Sequence, residues 1–324
     1  MVMRACTVAQ YRPQPESRLM RMAPKYLLGL FIALPILAHA QTQLTGGPKA
    51  VLVTGASTGI GRKIAERLAS DGYFVYAGAR KDSDLQALGA IKNVQPVRLD
   101  VTKPQDIESA VATIRKAGRG LYGLVNNAGV VTIGSVINTK MEEFELVMAV
   151  NVYGPWRVTR AFAPLIIASK GRIANIGSIN GIFTPPQSSA YSMSKHAIEA
   201  FTDSLSQEMT PLGVKVSIVE PGSYKSDIAK NALQRSGTGA QFAEFASHAK
   251  EPGEVAAAVE LALFESSPKR RYMVVPDASQ AEITIKTQLQ QLVQLNEGQP
   301  YTYDRAALVK MLDEALAGSR PKTH

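Results

Sequence analysis

Short apolar runs alternate with longer amphipathic stretches along most of this chain. Runs of five or six mainly apolar residues are typical of strands buried on both faces of a parallel sheet, and we predict six, at 50–54, 73–77, 94–99, 121–125, 172–176 and 214–219. Apolar residues at a helical period predict helices between them, at 62–70, 105–116, 141–168 and 196–209. Strands alternating with helices predict an α/β fold, built on a doubly wound parallel sheet. Two prolines, Pro155 and Pro164, would kink the third helix.

The alternating pattern covers residues 50–276, which we predict to form a single domain. Residues 41–49 are a polar linker that contains Gly-Gly-Pro. Residues 277–324 are predicted to be a helical C-terminal extension, which could cover a pocket, form a homo-oligomer or lie on a membrane.

The first 40 residues have the order of a targeting segment. Arg18, Arg21 and Lys25 precede a mostly apolar run, 26–40, which ends in Ala-His-Ala, and this order predicts a secretory signal peptide cleaved after Ala40. The run is shorter than the about 20 apolar residues that a membrane span needs. An exported protein is therefore the first interpretation. A protein anchored in a membrane through its N-terminus is the second, and a cytoplasmic protein is the third.

Charge and cysteine content narrow the choice of partners. The net charge is +9, and the first 40 residues hold five basic side chains against one acid. Because no Lys/Arg block appears, we predict no nucleic-acid partner, and an anionic cofactor or substrate explains the basic balance. The single cysteine, Cys6, precedes the predicted cleavage site. No metal-ligand spacing appears either, so no metal site is predicted.

The first predicted strand runs directly into a glycine-rich turn. Gly55, Gly59 and Gly61 have the spacing G-x-x-x-G-x-G, and a predicted helix follows. Strand, glycine turn and helix are the layout of a dinucleotide site, where the glycines admit a pyrophosphate and the helix N-terminus attracts it. The alternative interpretation is an ordinary tight turn between a strand and a helix.

The second predicted strand leads to Arg80, at a place where an acidic residue would bond the ribose 2′-hydroxyl of NAD. Arg80 suits the 2′-phosphate of NADP instead, so NADP is predicted as the cofactor and NAD is the alternative. A solvated pair formed by Arg80 and Lys81 is the interpretation without function.

Tyr191 and Lys195 are four residues apart at the start of a predicted helix, so they lie on one face. An ammonium a few Å from a phenol favours the phenolate and lowers the tyrosine pKa. Tyr191 is therefore a candidate general acid/base, with Lys195 adjusting its pKa. Taken alone, the pair fits a half-exposed helix face equally well.

In combination, the motifs resemble the short-chain dehydrogenase/reductase family, in its single-domain branch with a Rossmann-type fold. The resemblance covers about residues 48–276 and rests on Thr54-Gly-x-x-x-Gly-Ile-Gly61, Asn126-Asn-Ala-Gly129, Asn151, Ser178, Tyr191-x-x-x-Lys195 and Pro221-Gly222. Three further stretches are similar to the retinol and 17β-hydroxysteroid dehydrogenase branch: Glu199-Ala-Phe-Thr-Asp-Ser-Leu, Val216-Ser-Ile-Val-Glu-Pro-Gly and Arg271-Tyr-Met-Val-Val-Pro. Ser226 departs from the family, which usually has Thr there.

The resemblance implies a hydride-transfer site with four catalytic residues. Tyr191 would give or take the proton, Lys195 would lower its pKa and hold the nicotinamide ribose, Ser178 would stabilise the substrate oxygen, and Asn151 would hold a water of a proton relay. The resemblance also implies cofactor contacts from Tyr191, Lys195, Gly55, Ser57, Thr58, Gly59, Ile60, Arg80, Asp100, Val101, Asn127, Ala128, Gly129, Pro221, Gly222 and Tyr224.

The predicted function is an oxidoreductase that exchanges a hydride between NADP and a secondary alcohol or ketone. The branch similarity favours a bulky apolar substrate, held partly by Phe183 and residues 224–250. A non-catalytic dinucleotide-binding protein is the alternative, which loss of Tyr191, Lys195 or Ser178 would have favoured. Substrate identity, reaction direction and oligomeric state stay open.

Overall fold

A computed structural model of the chain describes residues 47–237, 240, 244 and 248–319. The predicted signal or anchor segment and most of the linker lie outside these residues. The strands are β1 Ala50–Val53, β2 Phe74–Ala79, β3 Val94–Arg98, β4 Gly123–Asn126, β5 Arg172–Ile176, β6 Lys215–Pro221 and β7 Arg271–Val274. The helices are α1 Gly59–Ser70, α2 Asp82–Gly89, α3 Pro104–Lys116, α4 Met141–Met148, α5 Gly154–Ala168, α6 Ser189–Met209, α7 Ile228–Ser236, α8 Gly253–Phe264, α9 Ala278–Asn296 and α10 Arg305–Ser319.

The strands form one parallel sheet in the order β3-β2-β1-β4-β5-β6-β7. The order reverses between β1 and β4, and in such sheets ligands bind at the carboxyl ends of the strands beside this reversal. The predicted α/β doubly wound fold is therefore confirmed.

Successive residues of each strand face opposite sides of the sheet, so the core has two parts. Val51 and Val53 pack towards α1 and α8, whereas Leu52 packs towards α3 and α5. Both faces of β1 are fully buried. The central strands read as continuous apolar runs for this reason.

The predicted helix at 141–168 is interrupted. A π-helical turn, Ala149–Tyr153, separates α4 from α5. Pro155 lies just after this turn, at the start of α5, where the backbone is helical on both sides, so its missing N–H removes one intrahelical hydrogen bond. The interruption at the π turn places Asn151 on the side of the site.

Three helices, α2, α7 and α8, were not predicted from the sequence. In α8 the reason is burial, because Val255, Val259 and Leu263 face the core and Ala256, Ala258 and Ala262 are buried as well. Apolar residues therefore cover much of the helix and weaken the period of 3.6 residues. The two strands β4 and β6 also begin later than predicted, at Gly123 and Lys215.

The C-terminal extension contains α9 and α10, both of which carry exposed apolar side chains. The Asp277 side chain caps α9 by accepting a hydrogen bond from the Gln280 N–H. Within the described part of the chain, no helix has the length and apolar character needed to cross a bilayer.

Candidate active site

A cavity of about 1540 Å³ opens at the carboxyl edge of the sheet beside the β1/β4 reversal. It brings together nearly every residue that the sequence analysis assigned to cofactor or catalysis. Asn151 alone among them does not line it, although its neighbour Val150 does. The cavity continues to Phe183, Ile228 and Ile283, at the end away from Arg80.

The glycine turn after β1 lies close against neighbouring segments, since a Cβ on Gly55 would lie 2.8 Å from the Ala128 Cα. Gly55 and Gly59 have φ of +63° and +56°, a region that side chains with a Cβ rarely adopt. A Cβ on Gly61 would overlap with the Asn127 side chain and the Gly55 carbonyl. Thr58, the N-cap of α1, makes no side-chain capping bond, so the first N–H groups of α1 can bind an anion.

Thr54 and Asn127 hold this turn in place. The Thr54 hydroxyl accepts hydrogen bonds from the N–H groups of Asn127 and Ala128, both at 3.0 Å. The Asn127 side-chain amide donates to the carbonyls of Thr54 and Gly55, at 2.9 and 3.0 Å. A pyrophosphate cradle with three glycines and a free helix N-terminus fits a dinucleotide.

Ser178 and Tyr191 face the cavity from two different segments. Ser178 follows β5 and is buried, and its hydroxyl donates to the Pro221 carbonyl at 3.4 Å and accepts from the Asn180 N–H at 3.1 Å. Tyr191 lies in the first turn of α6 and is half-buried. The loop after β5 and the helix α6 therefore each contribute one hydroxyl group to the same cavity.

Lys195 lies one turn after Tyr191, as predicted, and is buried. Its ammonium donates a hydrogen bond to the Ile176 carbonyl at 2.8 Å and lies 5.5 Å from the centre of the Tyr191 ring. Burial lowers the pKa of Lys195 to about 8, while the charge of Glu199 acts in the opposite direction.

The expectation that Lys195 lowers the Tyr191 pKa is wrong for the chain on its own. Burial raises the pKa of Tyr191 to about 12, and only the neighbouring Ser178 hydroxyl acts against it. Loss of solvation disfavours the charged phenolate and thereby raises the pKa. Tyr191 is consequently a phenol, a proton donor, at neutral pH.

Asn151 connects two segments of the site. Its side-chain amide bonds both backbone groups of Val130, at 2.9 and 2.8 Å, and donates to the Ser194 hydroxyl at 2.9 Å. The role in a water relay that the resemblance implies is not visible in these contacts. The amide instead fixes the loop after β4 against α6.

Arg80 and Lys81 line the far end of the cavity, where both are exposed. Asp84, in the first turn of α2, lines it as well. Asp100 is partly buried, which raises its pKa, but hydrogen bonds from Thr102 outweigh burial, and the pKa lies below its ordinary value.

Gln280 is a site residue that the sequence analysis missed. Its side-chain carbonyl accepts a hydrogen bond from the Ser223 N–H at 2.8 Å, and its amide donates to Asp277. The signal was present, because Asp277-x-x-Gln280 has the pattern of a helix capping box. Tyr224 also lines the cavity, but its hydroxyl proton is already engaged, because it donates a hydrogen bond to the Glu254 carboxylate at 2.5 Å.

Comparison with known proteins agrees with this geometry. The family model described as short chain dehydrogenase matches residues 49–237, more than half of the chain. The chain therefore belongs to the short-chain dehydrogenase/reductase family, which confirms the resemblance.

Individual relatives place the chain more finely. It is 42% identical to D-beta-hydroxybutyrate dehydrogenase, mitochondrial, of Rattus norvegicus over 186 residues, 54% of each chain. It is 36% identical to Retinol dehydrogenase 5 of Mus musculus over 211 residues, 63% of this chain and 66% of that one. The chain thus spans about half the length of the first of these relatives. A short chain dehydrogenase from Burkholderia cenocepacia in complex with NADP is 25% identical, with a TM-score of 0.63, over 78% of this chain and 99% of that one.

Proposed function

We propose that the protein is an NADP(H)-dependent oxidoreductase that interconverts a secondary alcohol and a ketone. The observation that carries the proposal is the convergence of Ser178, Tyr191 and Lys195 on a cavity that also contains the glycine turn. A binding protein without catalysis would need the turn, but it would not need a buried phenol and ammonium beside it.

In this proposal the protein supplies geometry and protonation. The nicotinamide cofactor supplies the hydride when it is bound. Ser178 donates a hydrogen bond to the substrate oxygen and stabilises its developing charge. Tyr191 gives its proton to that oxygen in reduction and removes it in oxidation. Lys195 holds the ribose hydroxyls and, as an ammonium, favours the phenolate that remains after the proton leaves.

The preference for NADP rests on the two cations, Arg80 and Lys81, at the adenosine end. A charged contact to the 2′-phosphate contributes roughly 5- to 150-fold to the preference. We expect Arg80→Ala to lower the ratio of NADP to NAD turnover by such a factor. Asp84→Asn is the matched control, because it removes an acid from the same end and should not lower the ratio. If Arg80→Ala leaves the ratio of NADP to NAD turnover unchanged, Arg80 does not bind the 2′-phosphate.

The residues that line the cavity at the end away from Arg80 support the proposal of a bulky apolar substrate. Phe183, Ile228 and Ile283 line it. Arg235 also lines it, but its guanidinium bonds the Glu143 carboxylate at 2.9 Å and the Val131 carbonyl at 2.7 Å. The described residues at this end therefore leave no unpaired arginine for the carboxylate of a small hydroxy acid.

Turnover of a panel of alcohols and ketones decides the substrate class. We expect steroid- or retinoid-sized secondary alcohols to have higher kcat/KM than 3-hydroxybutyrate, the kind of substrate named by the rat relative. Higher kcat/KM for 3-hydroxybutyrate would refute the apolar pocket. No turnover of any compound, with NADPH bound, would favour the non-catalytic alternative.

We further propose export with cleavage after Ala40, motivated by the basic, apolar and small-residue order of residues 18–40. Mass spectrometry of the native N-terminus tests it. A membrane-extracted protein that begins before Tyr26 would support an uncleaved anchor instead. Homo-oligomerisation is tested in the same preparation by light scattering.

A further inference from the structure

Four charged side chains form a group behind Lys195 that the proposed mechanism does not use. Glu199 and Asp203 lie one and two turns after Lys195 on α6, Glu220 lies in β6, and Arg271 begins β7. All four belong to the three stretches that resemble the retinol and 17β-hydroxysteroid dehydrogenase branch. We call them the rear cluster.

Arg271 is the centre of the rear cluster. Its guanidinium lies 3.3 Å from Glu199 Oε2 and 3.4 Å from Glu220 Oε1, and it donates hydrogen bonds of 3.0 and 2.7 Å to Asp203. Arg270 adds a second cation on the outer side, 3.9 Å from Asp203. Three carboxyl groups thus surround one guanidinium.

The two glutamates are the buried members of the rear cluster. Glu220 is 2% exposed and the Glu199 side chain 13%, whereas Asp203 and Arg271 are each 39% exposed. Among the described residues, both oxygens of Glu199 and Oε1 of Glu220 lack a hydrogen-bond partner. Two buried carboxylates that share one guanidinium, which already donates its hydrogen bonds to Asp203, are costly. One proton between them lowers the charge and supplies the missing donor.

The glutamates touch the segments that carry the catalytic groups. A Cβ on Gly177 or Gly181, on either side of Ser178, would lie 3.1 or 3.0 Å from Glu199 Oε1. Glu220 directly precedes Pro221, whose carbonyl accepts the Ser178 hydroxyl. Changes in this pair would therefore reach the Ser178 loop and Lys195 together.

Among the described residues, Arg270 and Arg271 both lie against Asp203, and only Arg271 also lies within 4 Å of the two glutamates. With one proton, the glutamates carry a single negative charge, and Arg271 faces two carboxylates. With none, Arg271 faces three carboxylates.

We propose that Glu199 and Glu220 share one proton and that the negative charge of this pair is the counter-ion that keeps buried Lys195 protonated. Both glutamates are thereby positioning residues that act through Lys195. This inference rests on the proposed function in one respect, since it assumes that Lys195 takes part in turnover.

Electrostatics support the inference. Burial raises the pKa of Glu199 to about 8, and the neighbouring Glu220 carboxyl group acts in the same direction. Burial also raises the pKa of Glu220, although Glu199 and the charge of Arg271 oppose it. The proton therefore belongs to the pair, and it titrates in the range where Lys195 does.

Stability against pH tests the shared proton without any assay of activity. The folded protein holds a proton that unfolded glutamates, with pKa near 4.5, have released, so the stability of the wild type should fall as pH rises from about 4.5 to about 8. In Glu199→Gln and in Glu220→Gln one carboxylate remains and an amide serves as its donor. Both variants should lose this slope, measured by urea unfolding at each pH. An unchanged slope in both would overturn the shared proton.

The pH profile of NADPH-dependent reduction tests the counter-ion. Glu199→Gln removes the carboxyl group one turn after Lys195 on α6, so the alkaline limb should move to lower pH by about one unit. In Glu220→Gln, Glu199 ionises more readily, so the limb should stay or move to higher pH. Asp203→Asn, which touches the outer side of Arg271, should leave the limb in place.

Each outcome decides the proposal. The counter-ion role would be refuted if the alkaline limb of an active Glu199→Gln protein lay at the same pH as that of the wild type. Equal shifts of the limb to lower pH in both glutamate variants would also refute it. An inactive wild type would contradict the proposed function and remove the counter-ion role with it, whereas the unfolding measurements would still decide the shared proton.

Discussion

Replacement of Tyr191 by phenylalanine separates the chemistry of the site from its fold. The change removes one hydroxyl from a half-buried ring, and the Ser178 hydroxyl keeps its partners, the Pro221 carbonyl and the Asn180 N–H. Loss of one ordinary hydrogen bond changes the free energy of unfolding by about 1 kcal/mol. A positioned general acid contributes about 10²–10⁴-fold to the rate, which corresponds to about 2.7–5.4 kcal/mol of transition-state stabilisation.

The assay is steady-state oxidation of NADPH with a ketone, with cofactor affinity from fluorescence quenching and folding from thermal melting. Tyr191→Phe should melt and bind NADPH as the wild type does and lose turnover. Tyr224→Phe is the matched control, because that tyrosine lines the same cavity but donates its hydroxyl to Glu254. Lys195→Ala should lose as much turnover as Tyr191→Phe and also bind NADPH more weakly.

Near-normal turnover by a folded Tyr191→Phe protein would refute the assignment of the acid, and the mechanism would have to be abandoned. Equal losses in Tyr191→Phe and Tyr224→Phe would refute it in another way, since they would indicate a general disturbance of the cavity wall.

Three further outcomes are expected. The rate of reduction by the wild type should decline as pH rises through about 8, where Lys195 loses its proton and no longer stabilises the phenolate. A rate that stays unchanged up to pH 10 would contradict this expectation. Thr54→Val leaves the Ala128 N–H without the acceptor it has in the wild type and should lower the free energy of unfolding by about 1–3 kcal/mol, measured with urea, while exposed Ser70→Ala should not. Gln280→Ala frees the Ser223 N–H and should raise the KM for NADPH more than it lowers kcat, whereas Gln288→Ala, on the same helix, should change neither.

The parallel α/β fold and the location of the site could be predicted because their signals are local. Each apolar run is a buried strand, and each polar cluster follows the carboxyl end of one. The glycine turn of residues 55–61 and the Tyr191–Lys195 spacing each lie within a few consecutive residues, so the sequence shows them directly. Parallel topology then brings these clusters to one edge without any knowledge of side-chain contacts.

The parts that could not be predicted depend on burial and on contacts between distant segments. The pKa of Tyr191 rises because the phenol is buried, and a sequence shows the neighbouring lysine but not the lost solvent. The π turn that carries Asn151 follows from packing between α4, α5 and α6. Glu199 and Glu220 are 21 positions apart in sequence, and only the structure shows that both contact Arg271.

The site is built from pairs of segments that fix each other, and this constrains how it can respond to change. Thr54 joins the first strand to the loop after β4, Asn151 joins that loop to α6, and Ser178 joins the loop after β5 to the end of β6. Gln280 then fastens the C-terminal extension to the turn after Gly222. A displacement of any one segment must therefore strain its neighbour. For this reason, substitutions in the connecting residues should alter cofactor affinity as well as turnover, whereas loss of the Tyr191 hydroxyl, which removes a single hydrogen bond to Ser178, should alter turnover alone.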